Sequence, residues 1–348
     1  MVARKKPEAI EQAMESALRP GRFFKYDEAS EFVQGLESVK AAIVRVIKTD
    51  PQGAVELVEM FIAGCYEKVD EIDDSGGSLG MFIDDLFAAW IKARQAAKAD
   101  PHETVKMLLN WRDNDEWGFC HDIEKTAVKA LNRHGLKAFA EIALEQFANE
   151  RAEGEKREDG DKDPSASYKY RWLSDVLRAI YAEQRDAERY LGIAEEIGLT
   201  PKDCEALAEI HEKRKKLDES LGWVERGLEL EKERSWGNGS SWRLAEKKRE
   251  LLKQLGRGEE ALESAWNAFQ KHPSKYSYET LMEYVPRGEK SEWRDKVLKI
   301  TEGADLSDAV ELYIELRELD RLAELVRNAK ASALEDLSLP MVSLKNVA

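Results

Sequence analysis

Residues 217–230, LDESLGWVERGLEL, and residues 258–271, GEEALESAWNAFQK, carry nearly the same pattern 41 positions apart. Asp218 aligns with Glu259, Glu219 with Glu260, Leu221 with Leu262, Val224 with Ala265, Gly227 with Ala268 and Leu228 with Phe269. Small and apolar residues recur at helical spacing on one side of each stretch, acidic residues on the other. A repeat of this period is a helix pair that cannot bury its apolar face alone and stacks on its neighbours. The stretch therefore predicts an all-α fold, an α-solenoid of antiparallel helical hairpins.

The N-terminal half has its own echo. Residues 49–61, TDPQGAVELVEMF, and 99–111, ADPHETVKMLLNW, place Asp50-Pro51 and Asp100-Pro101 at the same phase. Each pair writes a helix start: the Asp accepts hydrogen bonds from free N–H groups, and Pro at the first helical position has no N–H to leave unpaired. Before the first lies the stripe Phe32, Leu36, Val39, Ile43, Val46; before the second lie Leu79, Phe82, Ile83, Leu86, Trp90 and Ile91. An acidic loop follows each, Asp70 to Asp74 and Asp113 to Glu116. A further pair is predicted at 120–134 and 136–150, with Gly135 as the stop. Residues 151–167 then hold many charges and no large apolar side chain, which reads as a linker or flexible loop. Beyond it helices are predicted at 169–182, 185–197, 201–214, 216–232, 241–255, 258–271, 276–284, 289–300, 305–316 and 318–330. No segment alternates with period two over the length of a strand.

Composition narrows the function. A chain of 348 residues with 43% apolar and 35% charged residues suits many amphipathic helices. The net charge of −15 disfavours direct contact with nucleic acid or anionic lipid. The basic start (Arg4, Lys5, Lys6, Arg19, Arg22, Lys25) reads as a solvated terminus. Cys65, Cys120 and Cys204 are too few and too far apart for a disulfide framework, which fits a reducing compartment. Neither a signal peptide nor a run approaching the roughly 20 apolar residues of a membrane helix is visible. A cytoplasmic location is expected.

Residues 256–273, GRGEEALESAWNAFQKHP, resemble the second helix of a tetratricopeptide repeat, with the turn residue Gly256, small residues Ala261 and Ala268, and the closing Pro273. The preceding helix departs from that family: Ala245, Lys248 and Arg249 stand at its usual aromatic, leucine and glycine positions. A broader resemblance is carried by DDSGGSLGMFIDDLF (73–87), WRDNDEWGFCHDIEKTAVKAL (111–131) and YRWLSDVLRAIYAEQRDAERYLGIAEEIGLT (170–200). These are similar to a bacterial family of uncharacterised helical-repeat proteins, whose members often occur beside, or C-terminal to, a SWIM-type zinc finger. The finger's Cys-x-Cys and Cys-x-His pairs are absent here, Cys120 and His121 being directly adjacent, so no zinc-finger function carries over. The organisation expected is a basic segment (1–25), an N-terminal hairpin array (26–150), the charged linker (151–167), a tetratricopeptide-like array (168–332) and an apolar tail (333–348). That tail, with Leu334, Leu337, Leu339, Met341, Val342 and Leu344, reads as a cap or a docking site.

One stretch tempts a chemical reading. Counted as an EF-hand loop, Asp113 to Glu124 has Asp113 and Asp115 at positions one and three, Gly118 at six and Glu124 at twelve. Calcium needs such an oxygen array, but Trp117 at position five offers no oxygen. The alternative is an acidic turn in which Asp122 caps the next helix and Trp117 packs into the hairpin. Cys120, His121, Asp113 and Asp115 have donor types suited to a transition metal, although adjacent helical residues diverge. Ser75 to Gly80 suggests a phosphate nest before a helix, yet it lacks the Gly-Lys-Ser/Thr ending and is crowded by Asp73, Asp74, Asp84 and Asp85, so a glycine turn with Ser78 as N-cap is the better reading. No nucleophile or zincin motif appears, and no cofactor is implied. Trp90, Trp111, Trp172, Trp223 and Trp266 fall in apolar stripes and read as core. Trp236 and Trp242 flank the loop GNGSS and are the first candidates for a partner-binding edge.

The reading is a non-enzymatic scaffold or adaptor that binds a protein or peptide in a solenoid groove, with a basic partner suited to the acidic field. Two alternatives stay open. One is a calcium- or metal-responsive module using Asp113, Asp115 and Glu124. The other is an accessory subunit of a nucleic-acid-associated complex.

Overall fold

The computed structural model describes residues 5–19, 21–120, 122–155, 167–233 and 241–329. Among them are seventeen α-helices and no strand. A lone parallel bridge joins Phe24 to Ile72. The chain divides into two compact units, Met1–Leu199 and Thr200–Ala348.

The first unit holds α1 (Lys5–Ala17), α2 (Tyr26–Val46), α3 (Pro51–Tyr66), α4 (Ser78–Ala96), α5 (Pro101–Asp113), α6 (Ile123–Ala130), α7 (Arg133–Glu155), α8 (Tyr168–Gln184) and α9 (Ala187–Ile197). Both Asp-Pro starts form as predicted. Asp50 accepts from Gly53 N at 3.0 Å and Asp100 from Glu103 N at 2.9 Å, with the prolines opening α3 and α5. The stripe Phe32, Leu36, Val39, Ile43, Val46 is buried along α2. Helices α2, α4, α6 and α8 pack side by side in that order, while α3 lies on α4 and α5 on α7. Alternate helices therefore share a layer, as stacked hairpins require.

Three local expectations are corrected. The basic start is not merely a solvated terminus: residues 5–17 form α1, which packs on α2 and α3 through buried Met14 and Leu18. Gly64 of α3 makes room for Leu18, whose Cδ1 lies where a Cβ would stand. Gly135 does not stop a helix but lies in the first turn of α7, where a Cβ would meet Leu131 Cδ2 at 2.6 Å. The break falls at Leu131-Asn132, and Asn132 Oδ1 accepts from His134 N and Gly135 N, both at 3.0 Å. The linker 151–167, of which 156–166 lie outside the described residues, does not separate two cores. Phe147 of α7 stacks on Tyr170 of α8 at 4.3 Å, and the division comes between Leu199 and Thr200. The charge and apolar depletion of a connector carry no information about which helices it joins.

The second unit holds α10 (Pro201–Lys213), α11 (Leu217–Glu233), α12 (Ser241–Gln254), α13 (Gly258–Lys271), α14 (Lys275–Tyr284), α15 (Lys290–Thr301), α16 (Leu306–Glu315) and α17 (Leu319–Asn328). Each helix from α10 to α14 packs on the next, α14 then meets α16, and α16 meets α17. The 41-residue echo is α11 and α13. Ser220 and Ala261 are both buried, as are Val224 and Ala265, but Gly227 is buried where Ala268 is exposed. The positions that broke the consensus become interhelical contacts. Lys248 pairs with Glu225 of α11 at 2.8 Å, and the buried Arg249 reaches the Tyr284 phenol of α14. Arg243 and Lys247 tie α12 to Glu205 and Glu212 of α10 at 2.8 and 2.5 Å. The predicted apolar tail lies outside the described residues.

Gly227 is required by close approach. A Cβ there would lie 3.0 Å from both Cys204 Cβ of α10 and Leu244 Cδ1 of α12. Gly227→Val is expected to destabilise this unit by about 1–3 kcal/mol through overpacking. The check is a urea titration against Gly222→Val, since nothing lies within 4 Å of a Cβ at Gly222.

Candidate functional site

The loop between α5 and α6 is held by a set of side-chain hydrogen bonds. Its centre is the half-buried Asp115 carboxylate. Oδ1 accepts from the Tyr66 hydroxyl at 3.1 Å and from Trp117 N at 3.3 Å, and Oδ2 accepts from Cys120 N at 2.6 Å. Tyr66 Oη also lies 3.4 Å from Cys120 Sγ. Phe119 packs edge-on against the Tyr66 ring, with centroids 5.3 Å apart. Asn114 at the end of α5 donates to Asn110 O at 2.7 Å, and Gly118 takes a left-handed φ of 79° that reverses the chain. Burial pushes the Tyr66 hydroxyl above the ordinary tyrosine range, the Cys120 contact adding to it, and burial pushes the Cys120 thiol up to about 11.

The metal expectation is not met by this arrangement. Among the described residues, no group of three His, Cys, Asp or Glu side chains is placed to hold an ion. Asp115 is taken by two backbone donors of its own loop and by the Tyr66 hydroxyl of α3. Asp113 is exposed beside Arg112 at 3.3 Å, and Glu124 has one oxygen buried in α6. The EF-hand count shares the sequence spacing but not the geometry, because the backbone N–H groups of the loop claim the central carboxylate first. His121 lies outside the described residues.

Trp117 is a second correction. It does not pack into the hairpin but stands 51% exposed, while Phe119 goes inward. Gly118 between them turns the chain, so one aromatic faces in and the other out. The sequence marks the glycine but not which ring is buried. Of the other tryptophans, Trp90 and Trp172 are buried as expected. Trp111, Trp223 and Trp266 are half-buried. Trp242 opens α12 with 55% exposure, and Trp236 lies outside the described residues.

Beside the loop, Arg112 stacks over the Trp172 ring at 3.6 Å. The Trp172 indole N–H leans toward Glu124 but closes no hydrogen bond, and Glu124 Oε2 is likewise buried without a partner. Burial raises the pKa of Glu124 above the ordinary carboxylate value. The folded state thus holds this proton more tightly than the unfolded chain, so stability falls as pH rises from the unfolded to the folded pKa. Glu124→Gln is expected to raise the unfolding midpoint at neutral pH and leave it nearly unchanged below the carboxylate range. Thermal unfolding across an acid-to-neutral series checks this; an equal gain at both ends contradicts it.

The remaining candidates resolve into structural roles. At the Ser75–Gly80 turn the Asp74 carboxylate accepts from Leu79 N and Gly80 N at 2.8 and 3.0 Å. It occupies the helix start a phosphate would need, and it does the capping expected of Ser78, which is the first residue of α4. All three cysteines are free and buried, and burial pushes Cys65 up to about 12 and Cys204 up to about 11. Thiols held protonated in this way are poor nucleophiles. His102 of α5 pairs with Glu141 of α7 at 2.9 Å, a contact between helices.

Fold and site together define an all-α helical-repeat protein with ordered, acidic interhelical turns. A family model described as a family of unknown function (DUF6880) matches residues 4–337, and the chain belongs to that family. No curated protein matches the chain. Among the described residues, no helix is long and apolar enough to cross a membrane.

Proposed function

We propose that the protein is a non-enzymatic, cytoplasmic scaffold that binds a partner protein or peptide, with a basic surface on the partner. The observation that carries this reading is the display of large aromatic side chains, Trp117 and Trp242, from ordered helical frames. Aromatic anchors of this kind supply most of the affinity in many interfaces. The net charge of −15 favours a basic partner through long-range attraction. Stacked hairpins, tetratricopeptide-like in the second unit, offer extended surfaces suited to this use.

The test is affinity capture from lysate of the source organism with the tagged full chain, eluted by a salt gradient. A stoichiometric protein partner leaving at moderate salt is expected. Recovery of nucleic acid or a small molecule with no protein, in every growth condition, would overturn the reading.

A further inference from the structure

We infer that the α5–α6 loop is a docking element that inserts Trp117 into an apolar slot on a basic partner. The inference rests on the adaptor reading and gives it a site. Three observations converge.

The loop does not need the Trp117 side chain to hold its shape. Asp115 fixes it through the hydroxyl of Tyr66 and the backbone N–H groups of Trp117 and Cys120, and Phe119 anchors it from within. A large ring is thus displayed on a frame already ordered before any partner arrives. Such preorganisation lowers the entropy cost of binding, and tryptophan is the side chain most enriched among binding hot spots.

Exposed carboxylates precede the ring in the chain. Asp113 and Glu116 are exposed on either side of the Asp115 brace; Arg112, stacked on Trp172, pairs with Asp113 at 3.3 Å and leaves Glu116 as the exposed carboxylate next to the ring. A partner slot rimmed by lysine or arginine would complement this edge, whereas an acidic rim would be repelled.

The surface also continues along α5. A cavity of about 440 Å³ is lined by Glu59 of α3 and by Lys106, Met107, Asn110 and Trp111 of α5. Asn110 is bonded through its carbonyl to Asn114 at the root of the loop. A segment anchored on Trp117 therefore has a groove of mixed character in which to lie.

The experiment selects binders from a random peptide display library on the full chain, then measures the selected peptides by fluorescence anisotropy. Trp117→Ala retains the backbone N–H that Asp115 uses, so its unfolding curve should match that of the parent. Selected peptides are expected to combine Lys or Arg with apolar residues. They should bind Trp117→Ala about 30-fold more weakly, the loss typical of a hot-spot anchor, and bind Trp242→Ala almost normally. Reversing Asp113 and Glu116 to lysine should weaken them further and reduce their salt dependence. Peptides that bind Trp117→Ala as well as the parent would overturn this site and leave the adaptor reading standing. Acidic winners would overturn the charge assignment. No selectable peptide at all would count against both.

Discussion

Trp90→Ala is expected to destabilise the first unit by about 3–5 kcal/mol, the range for deleting a fully buried aromatic side chain. Trp90 has no solvent-exposed surface, packs edge-on against Trp111 at 4.7 Å and carries Arg94 over its face at 5.0 Å. Its indole N–H donates to Glu59 Oε1 at 2.8 Å, so the variant also strands a carboxylate that loses a charge-assisted bond. Trp90→Phe keeps most of the apolar contact and loses the donor, and should cost clearly less. Equilibrium urea unfolding of both variants separates the packing from the hydrogen bond. A loss below about 1 kcal/mol in the alanine variant would contradict the packing described for α3, α4 and α5.

The second large effect belongs to Asp115. Removing its carboxylate strands the Tyr66 hydroxyl and the backbone N–H groups of Trp117 and Cys120. Stranding a buried donor costs about 1–3 kcal/mol, whereas water can replace the acceptor at an exposed one. Asp115→Ala should therefore cost about 2–4 kcal/mol in total. Asp115→Asn, which retains one acceptor oxygen, should lose roughly half as much. Hydrogen exchange at Cys120 N is the local readout: it should accelerate in Asp115→Ala while the interior of α3 stays protected. If Asp115→Ala were neutral, the brace would not hold the loop, and the display of Trp117 would have no rigid base.

Much of the helical architecture was legible because its punctuation is chemical. Asp50-Pro51, Asp100-Pro101 and Thr200-Pro201 start helices where the sequence says they start, each capping residue accepting from the N–H three positions on. The five-residue stripe of α2 is buried as its spacing dictates. Other ends carry no such mark. Lys98, Arg185, Lys215 and Arg317 adopt φ of 55–60° beyond the ends of α4, α8, α10 and α16, whereas Gly198 after α9 and Gly256 after α12 follow the glycine rule. A cation near a helix C-terminus gains from the dipole and offsets part of the left-handed strain, so those turns were recognised only by the breaks in apolar spacing. Helix α1 is not legible from the sequence, because its many charges outweigh in pattern the two buried residues, Met14 and Leu18, that hold this segment down.

The site was less legible than the fold. Asp113, Asp115 and Glu124 stand at metal-like spacing, yet a spacing rule cannot register that the loop's own N–H groups reach Asp115 first. The outward turn of Trp117 depends on φ at Gly118 and on Phe119 finding Tyr66, a contact 53 positions away in the chain. Nonlocal contacts of this kind leave no periodic trace. Trp242, in contrast, was flagged by the glycine-rich loop before it and is exposed.

The central claim is that this acidic helical frame binds a basic protein partner. Its most direct test is the dissociation constant of the captured partner, measured on the full chain across a salt series. Affinity is expected to fall steadily as salt rises, mainly through a slower association rate. Affinity unchanged across the series, or a captured partner whose binding surface is acidic, would contradict it.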